Sequence, residues 1–236
     1  GACDGEFPRD DAAGAPRLAI WTWIGPGPSA GLELLGGARR LADQIGADAV
    51  AVVAPGRHAG TAVDVPAELL AHGATRILRL HAADEGGPDG DDRSIDAESP
   101  AELLAHHRNA HLLAAAAAEL QPRTILIPAT LRGRMLSALA AAHLGAGLTA
   151  DCTSLALEDG ASEVGADSPA GRALLQIRPA LGGNVLATIV STVRERGLPE
   201  MATVRSGVFP LRTCLVAQSS EVRDVRFRIS PQPTAY

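Results

Sequence analysis

Four times in the first 150 residues a short apolar run ends at a turn and a helix-patterned segment follows it. The first run, residues 18–24 (LAIWTWI), is closed by Gly25, Pro26, Gly27 and Pro28. Glycine and proline in such clusters punctuate strands. Ser29 then caps a segment with apolar residues at Leu32, Leu35, Ala38, Leu41 and Ile45, the spacing of a single helix face. A second run over 49–54 ends at Pro55 and Gly56, a short helix follows near 66–72, and residues 76–80 make a third strand. Ser99 and Pro100 open a helix that runs to Leu120, with proline suited to a first helical turn. Residues 124–129 (TILIPA) read as a buried strand, and 131–144 as a helix stopped by Gly145. This order dictates a parallel sheet with helices on both faces.

Past residue 150 the pattern changes. Segments 152–158, 173–177, 184–191 and 201–205 are strand-like with only turns between them. Residues 222–229 (VRDVRFRI) alternate, with Val222, Val225, Phe227 and Ile229 as the apolar positions. Strands joined without crossover helices favour antiparallel pairing. The expected fold class is therefore α/β: a three-layer α/β/α body with a mostly parallel sheet, plus an antiparallel β extension. Residues 1–16 read as a flexible tail. The Gly- and Asp-rich segment 82–97 reads as a mobile acidic surface loop, because it has too little apolar area to bury.

Hydrophobic residues make up 46% of the 236, enough for a sizeable core. No run approaches the 18 or so apolar residues of a membrane-spanning helix, and the acidic N-terminus lacks the apolar stretch of a secretory signal. A soluble, cytoplasmic protein without membrane insertion is expected. The net charge of −6 disfavours nucleic acid as a partner. Every basic residue other than histidine is arginine, which excludes Walker-type phosphate binding and Schiff-base chemistry. Cys3, Cys152 and Cys214 have neither disulfide-framework nor zinc spacing, and Cys152 reads as a small buried hydrophobe.

Candidate sites are few. The loop after the first run, GPGPSAG over 25–31, is where an α/β nucleotide binder holds phosphate, but its prolines remove the N–H donors such a loop needs. A plain turn is the favoured reading. Thr130 can cap the helix that follows it, and with Arg132 and Arg134 it makes a weak anion-site candidate. A structural or interface role competes with that one. His107 and His111 stand four apart on a predicted helix, beside His106 and a turn from Glu102. That spacing suits a metal, although an exposed polar helix face is favoured. Gly182, Gly183 and Asn184 suit a tight turn, because Gly and Asn accept positive φ. Arg178 and Arg205 flank the paired strands, and arginine is the residue best matched to interface ion pairs. No catalytic residue and no metal ligand is assigned.

Taken in order, Arg178, Gly182, Gly183, Asn184, Pro199, Met201, Thr203, Val204, Arg205, Gly207 and Phe209 fill the pattern Arg-x-x-x-Gly-Gly-Asn … Pro-x-Met-x-Thr-Val-Arg-x-Gly-x-Phe. This series resembles the end of the N-terminal domain of electron transfer flavoprotein alpha subunits. A second signature of that family, Thr-x-x-Gly-Arg followed by a helix and Leu-x-x-Asp, is matched by Thr130, Gly133, Arg134, Leu148 and Asp151. The resemblance covers about residues 17–229 and is strongest from 124 to 209. It implies an adenine nucleotide alpha hydrolase-like domain that pairs with a beta subunit. The assembled carrier takes electrons from acyl-CoA or related dehydrogenases, as in fatty acid beta-oxidation, and passes them to a quinone oxidoreductase. FAD is implied for the assembled carrier and AMP for the beta subunit, with neither held by this chain alone. The motif residues Arg178, Gly182, Gly183, Asn184, Thr203, Arg205, Gly207 and Phe209 then have structural or subunit-interface roles.

The flavin-binding half of that family would begin after residue 229 with Gly-Gly-Arg-Gly and continue through Ser-Arg-x-x-x-Asp, Gln-x-Gly-x-Thr and Gly-Ile-Ser-Gly. None of these motifs occurs, and residues 230–236 read as a tail or the start of a linker. A fragment, a split subunit or a flavin-free relative is expected. The alternative is a stand-alone nucleotide-binding α/β protein with a pocket near Gly25 and Thr130.

Overall fold

The computed structural model describes residues 18–25, 29–53, 65–83, 100–158, 172–211, 213 and 221–227 (only the backbone at 65, 100–104, 195 and 221). The tail 1–16, the turn residues 26–28 and 55–56, the segment 84–97, Cys3, Cys214, Ile229, 230–236 and the Glu102 side chain lie outside them. The first half alternates as its sequence demands: β1 (Ala19–Ile24), α1 (Ser29–Ile45), β2 (Asp48–Val53), α2 (Val65–Ala71), β3 (Arg76–Ala82), α3 (Pro100–Leu120), β4 (Thr124–Pro128) and α4 (Leu131–Leu144). Next come β5 (Leu148–Cys152), β6 (Ser154–Glu158), β7 (Ala173–Ala180), β8 (Val185–Ile189), β9 (Glu200–Val204) and β10 (Glu221–Phe227).

Among the described residues seven strands form one sheet in the order β10-β3-β2-β1-β4-β9-β5. All of its pairings are parallel. Its central strands are apolar on both faces because both are covered. Trp21, Trp23, Val50, Val52, Ile125, Ile127 and Met201 meet α3 and α4 through Leu112, Leu113, Ala116, Leu136 and Ala140. The alternate residues Ile20, Ala49, Leu126, Ala202 and Val204 meet α1 through Leu34, Ala38 and Leu41. Toward α2, Ile24, Ala51, Val53 and Ile77 pack with Leu69 and Leu35. A period of two within one apolar run thus serves two helical layers.

The antiparallel extension is smaller than expected. It contains β6, β7 and β8 in that order, whereas 200–204 and 221–227 join the parallel sheet. β9 inserts between β4 and β5, buried along its whole length. β10 pairs with β3 in parallel at the opposite edge. For β9, the excursion through the small sheet acts as the crossover that a helix would otherwise supply, which is why the absence of a helix misdirects the expectation for this strand. Leu155 of β6 and Leu174 of β7 are buried in the α1-side core and hold the small sheet to the body.

Candidate functional site

The motif residues gather at the C-terminal ends of β4, β5 and β9 and on the β7–β8 hairpin. Thr130 precedes α4 with extended backbone, and its Oγ1 accepts a hydrogen bond from the Gly133 N–H at 3.1 Å. The hydroxyl offered for anion binding is therefore the helix N-cap. Arg134 donates from Nε to the Ala129 carbonyl at 3.1 Å and makes a 2.8 Å ion pair through its terminal nitrogen with Asp151 Oδ1. Arg132 is half-buried on the same turn. Gly133 is the tightest point. A Cβ there would lie 1.9 Å from the Pro128 carbonyl oxygen, so only glycine lets α4 start this close to β4. Gly145 ends α4 in the left-handed region, φ 64°, with its N–H directed to Ala141 and Ala142 carbonyls.

Asp151 is the hub of this edge. It has a left-handed backbone, φ 61°, where β5 leaves the parallel sheet for β6. Its N–H donates to Thr203 Oγ1 at 2.9 Å, and its Oδ2 stands 4.0 Å from the Arg205 guanidinium. The Arg205 N–H donates to the Cys152 carbonyl at 3.0 Å. Cys152 itself is a buried packing residue, and burial pushes its thiol up to about 11. Two residues further on, Gly207 turns with φ 79° and donates its N–H to Glu33 Oε2 at 2.7 Å. Phe209 then lies flat on α1: a Cβ at Gly37 would fall 2.3 Å from its ring, and the Arg40 guanidinium sits 5.0 Å from the ring centroid. Glu33 and Gly37 escaped the sequence reading, although paired glycines inside a helix already signal a close approach.

Arg178 and Arg205 do come together. With Pro179, Ala180, Leu181, Gly182 and Gly183 they line a cleft of about 530 Å³ at the tip of the small sheet. Arg178 Nε is buried without a hydrogen-bond partner among the described residues. The hairpin turn uses three consecutive left-handed residues, Leu181 (φ 47°), Gly182 (φ 72°) and Gly183 (φ 92°). Asn184 is right-handed at φ −80°, so the unusual conformation falls on Leu181 where the sequence pointed to Asn184. Leu181 is 82% exposed, Leu186 65% and Val185 48%. Gly25 and Thr130 do not line this cleft.

The cleft is walled by guanidiniums and hairpin backbone, with no aromatic ring among its lining residues.

His107 and His111 occupy α3 as expected, but His111 faces His143 of α4 with ring centroids 3.7 Å apart. No group of three metal-binding side chains converges among the described residues. Burial, then His143, then His107, hold His111 below the ordinary value of 6.5. The folded chain resists a proton that the unfolded chain accepts. Stability is therefore full above pH 6.5 and falls as pH drops below it, until the folded value is passed. Urea midpoints are expected to fall between pH 7 and pH 5, and by less in His143→Gln. An equal fall in both proteins would show that this pair carries none of the effect.

The fold and this edge define a class: a doubly covered parallel α/β domain with a projecting antiparallel hairpin. The chain belongs to the electron transfer flavoprotein domain family, whose family model matches residues 29–229. It is 36% identical over 181 residues to an electron transfer flavoprotein subunit alpha of Clostridium acetobutylicum, covering 75% of this chain and 43% of that protein. It is 35% identical over 197 residues to the protein FixB of Rhizobium meliloti, covering 80% and 46% respectively. A subunit alpha of Megasphaera elsdenii is 31% identical over 202 residues, covering 84% of this chain and 49% of that protein. The matched region thus spans less than half the length of each of these relatives. No helix among the described residues is long and apolar enough to cross a membrane.

Proposed function

We propose that this chain is the N-terminal domain of an electron transfer flavoprotein alpha subunit and that its work is assembly. It pairs with a beta subunit in a flavin-dependent carrier between acyl-CoA or related dehydrogenases and a quinone oxidoreductase. The redox chemistry belongs to FAD held by a flavin-binding half outside residues 17–229, and AMP, where present, belongs to the beta subunit. The domain then acts as a rigid electron-carrier scaffold rather than an enzyme, in the cytoplasm.

The observation that carries this reading is the β7–β8 hairpin. Residues paired across antiparallel strands share a face. Pro179 with Leu186 and Ile177 with Thr188 therefore lie on one side, and the opposite side carries Val185, itself exposed. An edge strand with apolar side chains exposed on both faces, entered through a turn that begins with a left-handed leucine, gains nothing in water. Such a surface marks a protein contact.

Co-purification with the beta subunit, with and without a chain carrying the flavin-binding half, tests the proposal through the visible spectrum. A stable complex with the beta subunit, yellow only when the flavin-binding half is added, is the expected result. A chain that ignores both partners would overturn it.

A further inference from the structure

We infer that the cleft between Arg178 and Arg205 is a carboxylate receptor, taking one aspartate or glutamate side chain from the polypeptide that covers the β7–β8 hairpin. The inference rests on the assembly role proposed above and adds the chemistry of the contact.

Leaving a charged donor buried and unpaired is costly, because no hydrogen bond offsets the loss of its water. Arg178 Nε is in that state among the described residues. Its side chain lies on the same face of β7 as Leu174, four residues back and in the core, because alternate residues of a strand share a face. Gln176, between them, is fully buried with both amide atoms unpartnered. The inner side of this strand therefore ends in polar groups aimed at the body and not satisfied by it. Arg205 gains little from its own neighbourhood. Asp151 is 4.0 Å away and already held by Arg134 at 2.8 Å. Two guanidiniums thus wall one cleft with a share in one carboxylate.

The rim selects the occupant. Leu181, 82% exposed, lines this charged notch, and Val185 adds exposed apolar surface on the same face of the hairpin as Arg178. A free inorganic anion has no use for that rim. An apolar polypeptide segment bearing a single acid satisfies both parts, and the guanidinium fork matches a carboxylate with two parallel N–H donors.

The test is calorimetric titration of the full chain with the beta subunit from the same source, at low and high sodium chloride. The variants are Arg178→Gln, Arg205→Gln and Leu186→Asn. Each arginine variant should weaken binding about thirtyfold or more and flatten the salt dependence. Leu186→Asn should weaken binding and leave the salt dependence intact. Arg205, half exposed, keeps the test open should Arg178→Gln fail to fold. If only Leu186→Asn weakens the complex, the hairpin is an interface and the carboxylate receptor is wrong. If wild type does not bind the beta subunit, the assembly role fails too. Inorganic phosphate is the control ligand. Should it raise the melting temperature through both arginines while their variants still bind the beta subunit normally, the cleft is a free-anion site and the inference is overturned.

Discussion

Gly133→Ala is expected to remove about 3 kcal/mol of stability, at the upper end of the overpacking range. The added Cβ would meet the Pro128 carbonyl oxygen at 1.9 Å, with Ile127 Cγ2 3.2 Å away. A carbonyl within a fully buried strand has nowhere to move. Either α4 lifts from β4 or the strand bends, and both disturb the Thr130 cap and the Arg134–Asp151 pair. Gly36→Ala is the internal control, since the nearest atoms to its added Cβ are 3.8 and 3.9 Å away. Alanine there should stabilise α1 by about 0.5–1 kcal/mol through lower backbone entropy. Urea unfolding of both variants separates the cases. A Gly133→Ala protein that unfolds with wild type would mean that the tight seating of α4 contributes no stability.

The elements that were legible in the sequence are those whose signal is local. β1 through α4 announce themselves by apolar runs, caps and breakers, and the run 124–128 needs no partner to be read as a strand buried on both faces. The pairing of β9 and β10 is not local. Nothing within EMATV says that β4 and β5 will flank it, and the alternation of 222–227 fits an antiparallel edge as well as the parallel edge on β3. The motif residues were legible as a series, whereas their meeting was not. Asp151 reaches Arg134 and Thr203 only because β4, β5 and β9 end at one level of the sheet. His143 was invisible as the partner of His111, since helix packing rather than spacing sets that distance. Arg123 and Glu200 escaped for the same reason, as two charged residues at the starts of unremarkable strands.

That last pair carries the other large prediction. Arg123 and Glu200 are 5% and 1% exposed, with Nε and Oε2 3.7 Å apart at the head of β4 and β9. The Glu200 carboxylate also accepts from the Thr124 hydroxyl at 3.4 Å and from the Leu174 backbone, and Arg123 donates to the Arg172 carbonyl. One ion pair therefore joins two strands of the parallel sheet to the start of the small one. Burial is the first cause of both shifts, lowering Arg123 to about 10 and raising Glu200 above its ordinary 4.5, with their mutual attraction opposing it. Removing one partner should thus do more harm than removing both charges. Arg123→Met is expected to lose about 3 kcal/mol or more, because it strands a buried carboxylate with Arg194 as the remaining cation. Arg123→Met combined with Glu200→Gln keeps acceptors for Thr124 and Leu174 and should recover at least half of that loss. The pH dependence follows from the sign of the Glu200 shift. A carboxyl raised in the fold binds a proton that the unfolded chain has released, so its contribution is intact below pH 4.5 and is lost as pH rises through the folded value. Arg123→Met should therefore be more destabilised at pH 8 than at pH 5, relative to wild type, in urea titrations. A pH-independent loss, undiminished in the double variant, would instead assign the damage to lost arginine packing and to the Arg172 carbonyl, with the charge pair contributing nothing.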